Sequence, residues 1–320
     1  MMRASIHAKL LTNAYFGGIR PIEGGEFSYS LLMPSLYTVG GALVTKLLEY
    51  NIKPEQFIEK INDEKIKIYG IYLYDKQRHY VPITTQVIDK DCKLNINNLT
   101  EVTYYASTSE LHKEVRIPVM KGLSSEKRKK SYFIDLNAIN YGVVKSNISI
   151  NIEVRTRTAL DYSTKVPDEG KLFSLSMVHK PDIEYCIDVE LPDEYMSILR
   201  SESRWVGHLG GESGLAEFNV CDDTPLMDII EKSSRTGKYL ATSHIPLKLI
   251  DDELYTPLGK VRYIIGRVTM LGGWDIRSKV MKKIYACIEP SSIFGVDNVS
   301  RFSINSEEWY LKLLRSAIPI

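Results

Sequence analysis

Apolar and polar positions alternate from the start of the chain. In SIHAKLLT, residues 5–12, Ile6, Ala8 and Leu10 share one side while His7 points to the other, which predicts a first strand. After the loop FGGIRPIEGG, 16–25, the spacing changes to that of a helix. Leu36, Val39, Leu43, Leu47 and Tyr50 recur on one face behind Pro34, with Ser35 as N-cap. Gly40 and Gly41 each cost such a helix about 1 kcal/mol relative to alanine, so a close contact with a sheet or a ligand loop is expected there. A short helix from Pro54 and an alternating strand over 65–75 follow.

Residues 76–130 carry only weak strand patterns. The alternation then resumes in NISINIEVRTRTALD, 147–161, where Ile148, Ile150, Ile152 and Val154 form one row and Glu153, Arg155 and Arg157 the other. Strands are predicted over 171–178 and 183–191. In the second, Ile183, Tyr185, Ile187, Val189 and Leu191 face one way and Glu184, Cys186, Asp188 and Glu190 the other, which reads as a sheet with one wet side. A helix with Pro192 in its first turn, a strand through 215–220, a helix over 225–233, and strands near 239–249 and 261–270 complete the pattern. A last helix starts at Ser306 with an apolar stripe of Trp309, Leu313 and Leu314. Antiparallel strands interrupted by helices give an α+β fold, compatible with two similar halves meeting near 140–150.

Composition narrows the function classes. The 320 residues hold 41 Lys and Arg against 40 Asp and Glu, a net charge of +1, so no global field steers a polyanion. A local basic patch stays open, and the best cluster is Lys127, Arg128, Lys129 and Lys130, a run that usually belongs to a solvated loop. Cys92, Cys186, Cys221 and Cys287 are too scattered for a disulfide framework or a zinc motif. No apolar run reaches membrane-spanning length and no secretory signal pattern opens the chain, so a cytoplasmic setting without a membrane partner is expected. Twenty tyrosines stand against eight phenylalanines, which suits strands and interfaces.

The segment VGHLGGESGLAEFNV, 206–220, is the densest candidate for chemistry. It matches neither a phosphate-binding P-loop nor a dinucleotide fingerprint. His208 and Glu212 lack the helical spacing of a zinc motif, and the six histidines are dispersed, so neither a metal site nor a cofactor is expected. His208, Glu212 and Ser213 offer residue types for acid-base chemistry without geometry. A tight glycine turn anchored by Glu212 is the simpler reading, and its backbone N–H groups suit phosphate oxygens. In MLGGWDIRSK, 270–279, Trp274 beside Arg277 and Lys279 supplies a stacking surface with phosphate-binding cations, the combination single-stranded RNA needs.

The order of these segments resembles the repeat-associated RNA-binding (RAMP) superfamily of CRISPR effector proteins, and within it the third-subunit family of the Cmr, type III-B, complex. The resemblance runs through Gly18, Arg20, Pro21, Pro34, Ser35, Gly41 and Ala42, then Arg155, Arg157, Thr164, Gly170, Leu172 and Phe173. It continues through Gly207, Gly210, Gly211 and Glu212, and ends with GGWD at 272–275 and Glu289 to Ser292 before Phe294, where an expected glycine is missing. It spans about 8–296, with 76–130 matching nothing specific.

It implies two closely fused ferredoxin-like (RRM-like) domains with long glycine-containing loops and insertions, divided as 1–145, with an insertion near 76–130, and 146–320. It further implies a non-catalytic subunit of a hetero-oligomeric complex that holds the 5′ repeat-derived tag of a guide CRISPR RNA. The large polymerase-like subunit and the first backbone subunit would be its protein partners. Expected RNA contacts are Arg20, Arg155, Arg157, Gly210, Gly211, Trp274, Arg277 and Lys279, with Gly18, Gly207, Glu212, Gly272 and Gly273 shaping the loops. The competing readings are a metal-independent repeat-RNA endonuclease using His208 and a scaffold that contacts protein alone.

Overall fold

The computed structural model describes residues 1–16, 27–28, 31–83, 100–108, 111–121, 132–136, 150–160, 167–179, 182–211, 214–233, 237–271, 274–275, 280–281, 284–297, 304, 306–313 and 316–320. Elements are numbered in chain order. The first sheet is built from β1 (Met2–Leu10), β3 (Lys67–Tyr74), β4 (His79–Ile83), β7 (Tyr132–Asp135), β10 (Glu184–Leu191), β11 (Trp205–His208) and β12 (Leu215–Cys221), in the order β11-β12-β1-β10-β3-β4-β7. Its heart is an antiparallel set in which β1 pairs with both β10 and β12 and β10 pairs with β3. Helices α1 (Leu36–Leu48) and α2 (Pro54–Asn62) connect β1 to β3, and α3 (Asp193–Arg200) connects β10 to the β11–β12 hairpin. Two strand-helix crossovers with the strands in the order fourth, first, third, second are the ferredoxin-like arrangement.

The second sheet repeats that order. It runs β15 (Lys248–Ile250), β16 (Glu253–Thr256), β17 (Gly259–Ile265), β22 (Ile293–Asp297), β13 (Lys238–Ala241), β23 (Ala317–Pro319), with the hairpin of β5 (Thr100–Thr108) and β6 (Leu111–Lys121) joined to β17 through β6. Within it β13, β17, β22 and β23 are first, second, third and fourth. Smaller ribbons are β14 (Ile245–Pro246) with β21 (Tyr285–Ile288) and β18 (Val268–Leu271), β2 (Phe27–Ser28) with β9 (Pro167–Val178) and β8 (Ile152–Leu160), and β19 (Trp274–Asp275) with β20 (Val280–Met281). The chain is therefore α+β with two ferredoxin-like sheets. The point near residue 145 does not separate them: the first sheet takes β1, β3, β4 and β7 from before it and β10, β11 and β12 from after it.

Several elements match their sequence patterns. Ser35 caps α1 by accepting from the Thr38 N–H at 3.3 Å, and Leu36, Val39, Leu43 and Leu47 are buried against the first sheet. Tyr50 lies beyond the helix and is exposed. Lys46, itself buried, is paired to Glu49 at 2.8 Å and Glu202 at 2.7 Å and sits over the Tyr50 ring. Helix α4 (Pro225–Lys232) begins at the predicted proline.

Other expectations need correction. Gly40 makes only an ordinary contact, with Leu313 3.5 Å from where a Cβ would stand, and Gly41 meets no described atom within 4 Å, so among the described residues neither glycine serves a close approach. The apolar row of 147–161 does not face the core: Ile152 and Val154 are exposed, and the row's burial ends at Ile150. The terminal helix is a 3₁₀ segment, Ser306–Leu313, kinked at Glu308. Its tighter winding puts Leu311 rather than Trp309 deepest beside Leu313, and Leu314 lies outside the described residues.

The polar row of β10 is the largest correction. Cys186 and Asp188 are fully buried, because this face of the first sheet packs on α4 and the second sheet rather than on water. Tyr72 and Cys186 meet Leu226 of α4 and Leu240, Ile265, Ile293 and Ile318 of the second sheet. In this dry layer the Tyr72 hydroxyl donates to Asp188 Oδ1 at 2.8 Å, and the Met227 N–H, in the first turn of α4, donates to Asp188 Oδ2 at 2.9 Å. Ser5 Oγ joins the Tyr72 hydroxyl at 2.8 Å. Burial pushes the Asp188 carboxyl up to about 6 despite these donors.

The two sheets also touch through backbone. Gly70 in β3 has φ +105°, and a Cβ there would stand 2.5 Å from Thr242 Oγ1. The Ser316 hydroxyl donates to the Ile68 carbonyl at 2.7 Å beside this contact.

Gly70→Ala combines strained φ with a clash and should destabilise the chain by about 1–3 kcal/mol. Gly41→Ala, in an exposed helical position, should stabilise it by about 1 kcal/mol. Urea midpoints of the two variants, moving in opposite directions, check both assignments.

Acid sensitivity follows from two buried groups of opposite sign. Burial holds His244 down at about 4, below its unfolded value of about 6.5, so its contribution to stability is complete above the unfolded value and lost as pH falls. Asp188 is raised, so its contribution grows as pH falls through about 6 toward its unfolded value. Asp188→Asn removes this offset. Its stability should fall more steeply than that of the unsubstituted chain between pH 6.5 and pH 4, read from denaturant midpoints at half-unit steps.

Candidate nucleic-acid interface

The glycine segment closes a hairpin and receives the chain that leaves the first strand. Trp205–His208 pairs with Leu215–Phe218, and beyond the last pair the Leu209 N–H donates to the Gly214 carbonyl at 2.9 Å. Gly210 has φ +93°, and a Cβ there would stand 2.7 Å from the Tyr15 carbonyl oxygen and 3.0 Å from the Phe16 ring. At Gly214 a Cβ would meet the Leu209 carbonyl oxygen at 2.7 Å and the Ala14 Cβ at 3.0 Å. The Gly211 N–H donates to the Tyr15 carbonyl at 2.8 Å. These glycines let Ala14–Phe16 lie directly against the hairpin backbone.

Phe16 is also the base of the first glycine loop. Its carbonyl accepts from the Leu31 N–H at 2.9 Å. Its ring packs edge-on against Tyr185, whose hydroxyl donates to the Leu32 carbonyl at 3.1 Å. The same short segment binds the ribbon that carries the arginines. Ala14 and Val178 exchange backbone hydrogen bonds at 3.0 and 2.8 Å, and β8 pairs with β9 along the ribbon. Asn13 donates to Glu153 at 2.5 Å, tying the segment to β8 as well. The arginine-bearing ribbon and the glycines of the hairpin thus meet at residues 13–16, where the first glycine segment begins.

Arg155 is exposed and forked onto Glu153, with Nε to Oε1 at 3.0 Å and Nη2 to Oε2 at 3.1 Å. The Arg155 hydrogen bond is the main reason the Glu153 carboxyl is held below its usual range. His179 Nδ1 stands 3.7 Å from the same carboxylate. Arg155 is therefore a charge already paired, which a phosphate would have to win from Glu153.

Gly207 makes only ordinary contact with the Phe218 ring. His208 is exposed at the end of β11, while Glu212 and Ser213 lie outside the described residues. Arg157 is placed in β8 opposite Phe173, and Trp274 in β19 opposite Met281, by their backbones. The β19–β20 pair is its own two-stranded ribbon. Gly18, Arg20, Gly272, Gly273, Arg277 and Lys279 lie outside the described residues, as does the basic cluster at 127–130.

Strand pairing also assembles a group that the sequence reading missed. β1 sets His7 opposite Cys186 and beside Glu184, bringing a histidine, a carboxylate and a thiol together although they are 177 and 179 positions apart at most. Their alternate positions in two strands were legible; the pairing of those strands was not. No helix among the described residues is long and apolar enough to cross a membrane.

No protein-family model and no curated protein matches this chain. Solved structures share its fold. A chain of the type III-B Cmr-beta complex bound to cognate target RNA superposes with TM-score 0.56 at 17% identity, covering 97% of this chain and 94% of that one. A chain of the same kind of complex bound to cognate target RNA and AMPPnP gives 0.54 at 18% identity, covering 91% and 86%. A chain of the Csm3–Csm4 subcomplex of the type III-A CRISPR-Cas interference complex gives 0.50 at 12% identity, covering 99% of both. The fold is thus one shared with chains of Cmr and Csm type III assemblies.

The tight junction makes a specific demand on sequence. Gly210→Ala should cost about 1–3 kcal/mol and raise the rate of proteolytic cleavage within 11–31, because its Cβ pushes on Tyr15 and Phe16. Gly207→Ala should change stability by less than about 1 kcal/mol. Equal effects of the two substitutions would contradict the packing described.

Proposed function

We propose that this chain is a non-catalytic subunit of a type III-B CRISPR RNA-guided effector complex, in which it binds and positions the 5′ repeat-derived tag of the guide RNA. Its neighbours in that role are the large polymerase-like subunit and the first backbone subunit. The observation that carries the reading is the convergence of the first-loop base, the arginine ribbon and the glycine hairpin on residues 13–16. The fold shared with chains of Cmr and Csm assemblies supports the same class of complex.

Physically, the junction suits positioning more than unaided capture. Hairpins on two rigid sheets present groups in fixed geometry. With a net charge of +1, the chain has little long-range attraction for RNA and relies on local contacts and on partners. Arg155 and Arg157 are the proposed phosphate ligands, with Arg20, Arg277 and Lys279 as further proposed cationic contacts, Gly210 and Gly211 lining the backbone, and Trp274 a stacking surface.

Photocrosslinking of the native complex, followed by identification of RNA-linked peptides, tests the assignment. Crosslinks from 16–25, 153–157 or 272–279 to the guide's 5′ tag are expected. RNA crosslinks confined to other subunits would leave a scaffold that contacts protein alone. In reconstituted complexes, Trp274→Ala should weaken tag binding by about 1–3 kcal/mol, and Arg155→Lys should weaken it while retaining charge. Unchanged tag affinity in both variants would remove these residues from the interface.

A further inference from the structure

At the other end of the first strand's polar row, three metal-binding residue types meet. His7 Nδ1 lies 2.8 Å from Glu184 Oε2, and one ligand atom from each of His7, Glu184 and Cys186 lies within 4.8 Å of the other two. His7 and Cys186 face each other across adjacent strands, and Glu184 precedes Cys186 by two positions on the same side of β10. His7 and Cys186 are buried, at 7% and 0% exposure, while the Glu184 side chain keeps 22% and opens the cluster on one side.

We propose that His7, Glu184 and Cys186 form a binding site for one thiophilic divalent cation of the zinc class. Imidazole nitrogen, thiolate sulfur and carboxylate oxygen are the three donors that zinc takes, at about 2.0–2.3 Å from the metal. Ligand atoms around such an ion stand about 3–4 Å apart, a spacing these side chains reach by small rotations about fixed strands. Hard cations such as Mg²⁺ disfavour the sulfur.

The Tyr74 ring meets His7 edge-on at 5.5 Å, fixing the imidazole on its far side. Three protein donors leave a fourth position on the Glu184 side for water. The ion would staple β1 to β10.

Cobalt titration of the purified, metal-stripped full chain tests the site, with Co²⁺ as a spectroscopic stand-in for Zn²⁺. One equivalent of Co²⁺ should give a sulfur-to-cobalt charge-transfer band that one equivalent of Zn²⁺ abolishes, with affinity rising with pH as the ligands lose protons. Cys186→Ser should abolish the band and His7→Gln should weaken Zn²⁺ binding by more than about 10–100-fold, beyond an outer-shell effect. Cys92→Ser should leave both unchanged. Circular dichroism establishes that each variant is folded. Should Cys186→Ser fail to fold, X-ray absorption of the zinc-loaded unsubstituted chain decides: one sulfur with nitrogen and oxygen donors supports the site. Absence of a band in the unsubstituted chain, its survival in folded Cys186→Ser, or a shell without sulfur overturns it.

Discussion

Strand β10 is dry on both faces from Tyr185 to Val189, and the arrangement of the two sheets depends on that. One row, Tyr185, Ile187, Val189 and Leu191, packs beneath α1, α2 and α3, as its apolar character requires. The other row puts Cys186 and Asp188 under α4 and the second sheet. An unpaired carboxylate at such a place would be prohibitive, so the position survives only because its donors are built in. Tyr72 comes from the neighbouring strand and the Met227 N–H from the opening turn of α4, where a carboxylate also complements the positive end of the helix dipole. Asp188 therefore fixes where α4 starts, and α4 leads directly into the second sheet. The forked contact of Arg3 with Glu231 at 2.9 and 2.6 Å joins the same helix to β1, but on an exposed surface it adds little.

Close backbone contact is the second theme, and glycine is its means. At Gly70 the two sheets meet; at Gly210 and Gly214 the exit from β1 meets the β11–β12 hairpin. In each case the space a side chain would need is filled by a carbonyl, a Cβ or a ring from a distant part of the chain. That leaves the junction at 13–16 with few soft degrees of freedom. Its backbone hydrogen bonds go to Val178 on one side and Gly211 on the other, while its side chains reach Glu153 and Tyr185.

Local pattern was readable from sequence wherever one physical preference acted alone. Ser35 followed by spaced Leu and Val gave α1 with its cap, and the alternation in 183–191 gave β10 within one residue of its observed start. What could not be read was which polar faces would be covered. Glu184, Cys186, Asp188 and Glu190 look like a solvated row, and nothing local to them reveals that α4 and a second sheet arrive there. Conversely Ile152 and Val154 look like core and are exposed, because β8 belongs to a three-stranded ribbon rather than to a main sheet. The glycine hairpin was legible as a place of close approach, but its occupant, Tyr15 and Phe16, lies about two hundred positions away and follows from the pairing of β1 with β12. His7, Glu184 and Cys186 escaped notice for the same reason: only register makes them neighbours.

The pairing of Arg155 with Glu153 bears on how an RNA would be held at this junction. An arginine with a forked carboxylate partner contributes less to initial attraction than a free one, since its field is largely cancelled at a distance. It still offers a planar donor fork once a phosphate comes within contact range, and exchanging one anion for another leaves the guanidinium satisfied throughout. The displaced Glu153 is not stranded, because Asn13 donates to it and His179 stands beside it. The exchange therefore separates specificity of placement from strength of capture. On the reading proposed here, that division suits a subunit of near-neutral charge: the length of the guide RNA and the other proteins supply affinity, while this junction decides where its end rests.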